Sequence, residues 1–188
     1  MISIDPQNSH LDPTQTLRGS IYNTVATPTR PLTQRVSNHL KTIRDDDGYI
    51  LKNKFNPMAL GRDLTALYML KYLPEEDDFI ITVFGTKALE IIGFDITGEK
   101  ASKLKNGQWR IKALRDILKS KEMSILHHIV GHPDDNHRLI ESVYFPMKDT
   151  SKETYHILVA FDLLPGKAQD KLSGEQLNKI YKDFSTYS

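Results

Sequence analysis

The chain has 188 residues, with 25 Lys and Arg against 24 Asp and Glu, and no cysteine. A net charge of +1 supplies no long-range attraction for nucleic acid or anionic membrane. The missing thiols exclude disulfides, cysteine-ligated zinc, iron–sulfur clusters and thiol catalysis.

No run approaches the ~20 apolar residues that span a bilayer. The N-terminus lacks a basic stretch followed by an apolar one, so a secretory leader is not expected. One domain plus extensions, soluble and cytoplasmic, is the expectation. Residues 1–31 hold Pro6, Pro13, Pro28 and Pro31 among polar residues, too few apolar anchors to repay ordering entropy, and should form a loose arm. A flanking helix is expected over 32–48, because Val36, Leu40 and Ile43 recur at the spacing of one helical face. Asp45-Asp46-Asp47-Gly48 should end it, with Gly48 as a left-handed cap.

Residues 49–165 read as the domain proper. Phe55-Asn56-Pro57 opens it, and Leu67 to Leu73 and Phe79 to Phe84 read as strands around a polar Pro74–Asp78 turn. Lys87 to Ile92 is a brief helix closed by Gly93. Trp109 to Lys121 is a longer one, with Ile111, Leu114, Ile117 and Leu118 on one side. Three strands follow, Ser124–Val130, His137–Met147 and Tyr155–Leu163, with turn signals between them. In the last, Tyr155, Ile157, Val159, Phe161 and Leu163 form a wholly apolar face. His156, Leu158, Ala160 and Asp162 form a mixed one that could take a covering helix. Over 166–188 an amphipathic helix is expected, with Ser173 and Gln176 as a capping box and Leu177, Ile180, Tyr181 and Phe184 as its stripe. The whole is an α+β pattern: a five-stranded antiparallel sheet, helices across one face, and flanking helices at either end.

The corners of this pattern are Phe55-Asn56-Pro57, Phe84-Gly85-Thr86, Gly93-Phe94-Asp95-Ile96-Thr97-Gly98 and Phe145-Pro146-Met147. Together with the element order, they resemble the divergent single-domain PAS family common in alphaproteobacteria, over roughly Leu40 to Leu164. That family carries a Phe-Asp-Pro-like opening, a strand ending in Gly-Thr, a Gly-Asp-Leu-Thr-Gly turn and a Leu-Pro-Leu-like step. The chain departs from it at Lys52-Asn53-Lys54, where the family has Pro-Ser-Arg. The resemblance implies a stand-alone sensory or regulatory module that works by binding and not by catalysis. It would act as a homodimer on a separate signalling partner, with a small-molecule pocket on the inner face of the sheet. Phe84, Trp109, His128, Tyr155, Ile157, Val159 and Phe161 are the residues expected there. Val36, Leu40 and Ile43, with Leu177, Ile180, Tyr181 and Phe184, are the expected interaction surface.

No cofactor or metal is predicted. Without a thiol there is no flavin–cysteinyl adduct and no thioester-linked chromophore, while haem or a small metabolite stays open as a ligand. The histidines, among them His127, His128, His132, His137 and His156, match no zinc spacing. Glu99 and Lys100 break the phosphate-loop pattern after Gly98. Ile43 and Lys54 occupy the end positions of any calcium loop centred on Gly48, and neither ligates calcium. The alternative is a small enzyme on a similar curved sheet, for which Asp162 and His128 are the acid–base candidates.

Overall fold

A computed structural model describes residues 21–93, 95–104, 107–130 and 138–166. Its strands are β1 (Ile21–Thr24), β2 (Ile50–Leu51), β3 (Leu67–Leu73), β4 (Asp78–Phe84), β5 (Ser124–Val130), β6 (Arg138–Asp149) and β7 (Thr154–Leu163). Its helices are α1 (Pro31–Lys41), α2 (Thr86–Ile92) and α3 (Gly107–Ser120). The architecture is α+β on one sheet, in the order β1-β5-β6-β7-β3-β4, with β2 paired to β6. The five expected strands are its antiparallel centre. Two short strands enlarge it: β1 lies antiparallel on β5, and β2 lies parallel to Met147 and Lys148 of β6, beyond the end of β5.

β1 corrects the expectation of a loose arm through residue 31. Ile-Tyr-Asn-Thr is too short to signal a strand alone, and it is held because β5 offers an edge. Helix α1 is shorter than the expected 32–48, ending at Lys41 with Thr42 as its cap. Gly48 caps nothing. It takes φ 94° in the tight turn from Arg44 to Ile50, where Asp45 accepts the Tyr49 N–H through its side chain at 2.7 Å. The expected helix over 166–188, and with it Leu177, Ile180, Tyr181 and Phe184, lies outside the described residues.

Both faces of the sheet are covered. Directly paired residues of antiparallel strands share a face, so the register assigns every side chain. The inner face carries Leu70, Phe79, Ile81, Leu126, Tyr144, Ile157 and Val159, packed against Ile111, Leu114, Ile117 and Leu118 of α3. The outer face carries Leu67, Met69, Ile125, Val143, Phe145, Met147, Leu158 and Ala160, packed against Leu32, Val36, Leu40 and Leu60. Leu158 and Ala160 thus receive the covering helix their face was expected to accept. Val36 and Leu40 are fully buried there. Each contributes ~1.5–3 kcal/mol of burial to this domain, which corrects their assignment to an interaction surface. Leu163, at the end of β7, keeps the face that its alternation suggested, paired with Ile140, but is 38% exposed there.

The corner after β4 has a specific reason for its glycines. Gly85 is extended (φ −71°), so its need is not a left-handed turn. A Cβ there would stand 2.2 Å from the Thr65 carbonyl oxygen. Gly93 does adopt φ 91°, capping α2 with its N–H on the Leu89 carbonyl at 2.7 Å. Asp95 then accepts from both the N–H and the hydroxyl of Thr97, which holds its carboxyl below the usual range. The motif is structural throughout.

Candidate functional site

Toward the α2 end, the inner face stops being a sealed core. Register aligns Phe84, Tyr68, Val159 and Tyr144 across four strands, with Phe161 and Ser142 in the next row and Ile140 and His128 beyond. Val159 and Ile157 are completely buried, whereas Tyr68, Phe84, His128, Val130 and Arg110 of α3 keep partial exposure. That gradient marks the open end of the helix-covered face. Its walls are apolar: Ala88 and Ile91 of α2 pack with Ile140 and Phe161, flanked by Tyr68, Phe84 and Val130. The Tyr68 ring stands 5.9 Å from both Phe84 and Phe161, tilted against each as aromatic quadrupoles prefer.

Into this wall runs a line of polar tips. His128 Nε2 lies 2.7 Å from Ser142 Oγ, and register puts Tyr144 and Tyr68 on the same face beside them. Each partner neutralises a polar atom that burial would otherwise penalise. Burial pushes the Tyr68 phenol well up, reinforced by Tyr144 and opposed by Arg110. Burial raises Tyr144 likewise. Burial, then the Arg110 charge, then His127 lower the His128 imidazole to about 3. All three are therefore neutral near pH 7, and Arg110 supplies the charge that they sense.

Of the residues expected to line a pocket, Phe84, His128, Tyr155, Ile157, Val159 and Phe161 do share this face. Of these, only Phe84 and His128 keep partial exposure at its open end, and Phe161 is buried behind them against Tyr68. Ile157 and Val159 are sealed beneath α3, and Tyr155 sits at the opposite end with its ring 5.5 Å from Tyr49. Trp109 lies in the first turn of α3, and its side chain is outside the described residues. Sequence reasoning missed Tyr68, Ser142, Tyr144 and Arg110. The available signal was Tyr68 and Tyr72 alternating with Leu70, aromatic bodies with polar tips on a strand read as plainly apolar.

The acid–base pair of the enzyme alternative does not assemble. Asp162 pairs across the ladder with Glu141 on the outer face and is held by Lys87 at 2.8 Å, whereas His128 is on the inner face. The sheet separates them. A different histidine–carboxylate pair exists, His127 with Glu141 at 2.9 Å, and Glu141 is completely buried. Its oxygens also accept the Thr29 and Arg30 N–H groups (2.9 and 3.0 Å) and the Thr29 and Thr33 hydroxyls. That carboxylate is fully engaged in holding the start of α1.

A cleft of about 420 Å³ lies elsewhere, among Glu76, Asp77, Asp78, Lys100, Ser102, Lys103, Ile111 and Arg115. Two ion pairs cross it, Lys100 with Glu76 and Arg115 with Asp77. Asp78 accepts the Phe79 N–H at 2.7 Å and the Ser102 N–H at 3.2 Å. No group of three or more metal-ligating side chains occurs among the described residues. No helix among them is long and apolar enough to cross a membrane.

No family model matches the sequence, and no curated protein does. Solved structures show a distant likeness. The PAS domain of the histidine kinase ThkA is 16% identical, covering 52% of this chain and 96% of that one at a TM-score of 0.39. A sensory box histidine kinase/response regulator from Burkholderia thailandensis is 11% identical, covering 71% and 100% at 0.37. An RNA-binding light-oxygen-voltage receptor is 13% identical, covering 89% and 43% at 0.42. Likeness at this level carries nothing about ligand or activity.

Proposed function

We propose that this chain is a PAS-type sensory module that binds a small molecule at the open end of its inner sheet face. The signal then passes to a separate protein. One observation carries the reading: aromatic walls and a line of neutral polar tips meet where a helix-covered face keeps partial exposure. Small-molecule sites have this composition, mostly apolar with a few placed polar groups. The element order supports it too, two strands, then helices, then three antiparallel strands, as the resemblance implies. The His128 Nε2 is taken by Ser142, which leaves only Nδ1 for a haem iron, and a metabolite is the better fit.

Native mass spectrometry and an absorption spectrum of the purified chain test this. A co-purified small molecule is expected, reduced by Phe84→Trp, which fills the partly exposed end. A ligand-free chain whose mass and stability respond to no member of a metabolite panel would overturn the reading. Homodimerisation belongs to the same proposal, on a surface other than Val36 and Leu40. Light scattering at micromolar concentration should give twice the chain mass, and a monomer refutes it.

A further inference from the structure

We infer that the molecule taken at this site is a small monoanion, a carboxylate on a flat apolar body, with Arg110 as the group that receives its charge. The inference rests on the ligand-binding reading above and adds the ligand's chemistry.

Arg110 lies on α3 one turn before Leu114, which packs on the inner face of the sheet, so the two share a side of the helix. Its charge is felt by Tyr68, Tyr144 and His128. These are two phenols and an imidazole, and none brings a negative charge near pH 7. Ser142, bonded to His128, brings none either. The Arg110 Nε is buried and has no hydrogen-bond partner. An unmade bond at a buried cationic donor costs more than at a neutral one. The same atom is half of the guanidinium fork that meets a carboxylate side-on with two parallel bonds. One fixed cation matches one negative charge, whereas a phosphate dianion would leave a surplus charge against apolar walls.

The rest of the wall describes the ligand's body. The Tyr68 ring is tilted against Phe84 and Phe161 at 53° and 57°, an aromatic packing that a further flat ring can extend. Ile91, Ile140 and Val130 close the sides without adding a polar demand. The Tyr144 and Tyr68 hydroxyls can turn their protons toward a carboxylate oxygen, so the neutral line supplies donors that follow the anion.

Isothermal titration of the full chain with benzoate, benzamide and benzylamine tests the inference, since the three share a ring and differ in head-group charge. Benzoate should bind at least about tenfold more tightly than benzamide, with benzylamine not binding. Arg110→Met should abolish the preference while the variant still unfolds cooperatively, and Arg110→Gln serves if the first variant does not fold. Equal or tighter binding of benzamide or benzylamine, or a preference that survives removal of Arg110, overturns the carboxylate inference and leaves the pocket standing. Binding of none of the three overturns both.

Discussion

Glu141→Gln is the substitution whose cost the structure defines best. Helix α1 begins at Pro31 with Arg30 as its cap residue, and no side chain of its own segment bonds the free N–H groups. A helix start left so costs about 1 kcal/mol relative to a capped one. Glu141 instead anchors the residues leading into the helix from β6, more than a hundred residues away in sequence: it takes the Thr29 and Arg30 N–H groups, two threonine hydroxyls and His127. Burial opposes the charge, but the bonds from Thr29, Thr33 and His127 prevail, so its carboxyl falls from 4.5 to about 2. That difference of about 2.5 pH units corresponds to ~3 kcal/mol of stability. Glutamine keeps the shape, yet sets an NH₂ donor against donors. Urea unfolding at pH 7, followed by circular dichroism, should show a loss of about 2–4 kcal/mol with an unchanged m-value. A folded carboxyl below its unfolded value contributes fully above pH 4.5 and loses that contribution as pH falls toward about 2. The gap between wild type and variant should therefore close across that window. A gap below ~1 kcal/mol at pH 7, or one that does not narrow with acid, refutes the reasoning.

His128 is held neutral, with its pKa lowered from 6.5 to about 3, so its contribution is complete above 6.5 and drains as pH falls toward 3. His128→Gln keeps a partner for Ser142 without titrating, and should flatten the stability slope in that window by ~1.4 kcal/mol per pH unit. An unchanged slope in urea titrations would show that the imidazole is not protected. His156, lowered to about 4 by burial and then Lys52, should continue to titrate in the variant. Gly85→Ala should cost about 2–3 kcal/mol, because its Cβ meets the Thr65 carbonyl oxygen and the backbone must move. Gly98→Ala meets no atom and should cost only the ~1 kcal/mol of a left-handed backbone. Thermal melts in which the two variants cost the same would contradict the close-approach account.

Element positions were legible because helix and strand periods are local. β3, β5 and α2 fall within a residue of their expected spans, since alternation and the Gly93 stop act within one turn of chain. The misplaced boundary of α1 has a local cause as well: acidic residues and a glycine after Lys41 look like a helix end, yet they build the turn from Arg44 to Ile50. β1 was not legible, because four residues carry no period and pair only once β5 presents an edge.

The polar side chains were the hardest to read. Glu141 looks like a solvated residue in an alternating strand, and only the return of residues 29–33 across β6 buries it. Tyr68, Ser142 and Tyr144 look like ordinary strand residues until register brings them onto one face with His128.

The sequence alone determined that the chain lacks thiol chemistry, that it is α+β, and where its five central strands and the helices α2 and α3 lie. Composition and periodicity are properties of neighbouring residues. Tertiary structure decided which faces are spent. It buried Val36 and Leu40 against Leu158 and Ala160, put His128 and Asp162 on opposite sides of the sheet, and aimed Arg110 at a row of neutral tips. Those outcomes depend on pairing between segments far apart in the chain. A shift of one residue in strand register would send His128, Leu158, Ala160 and Asp162 to the other face.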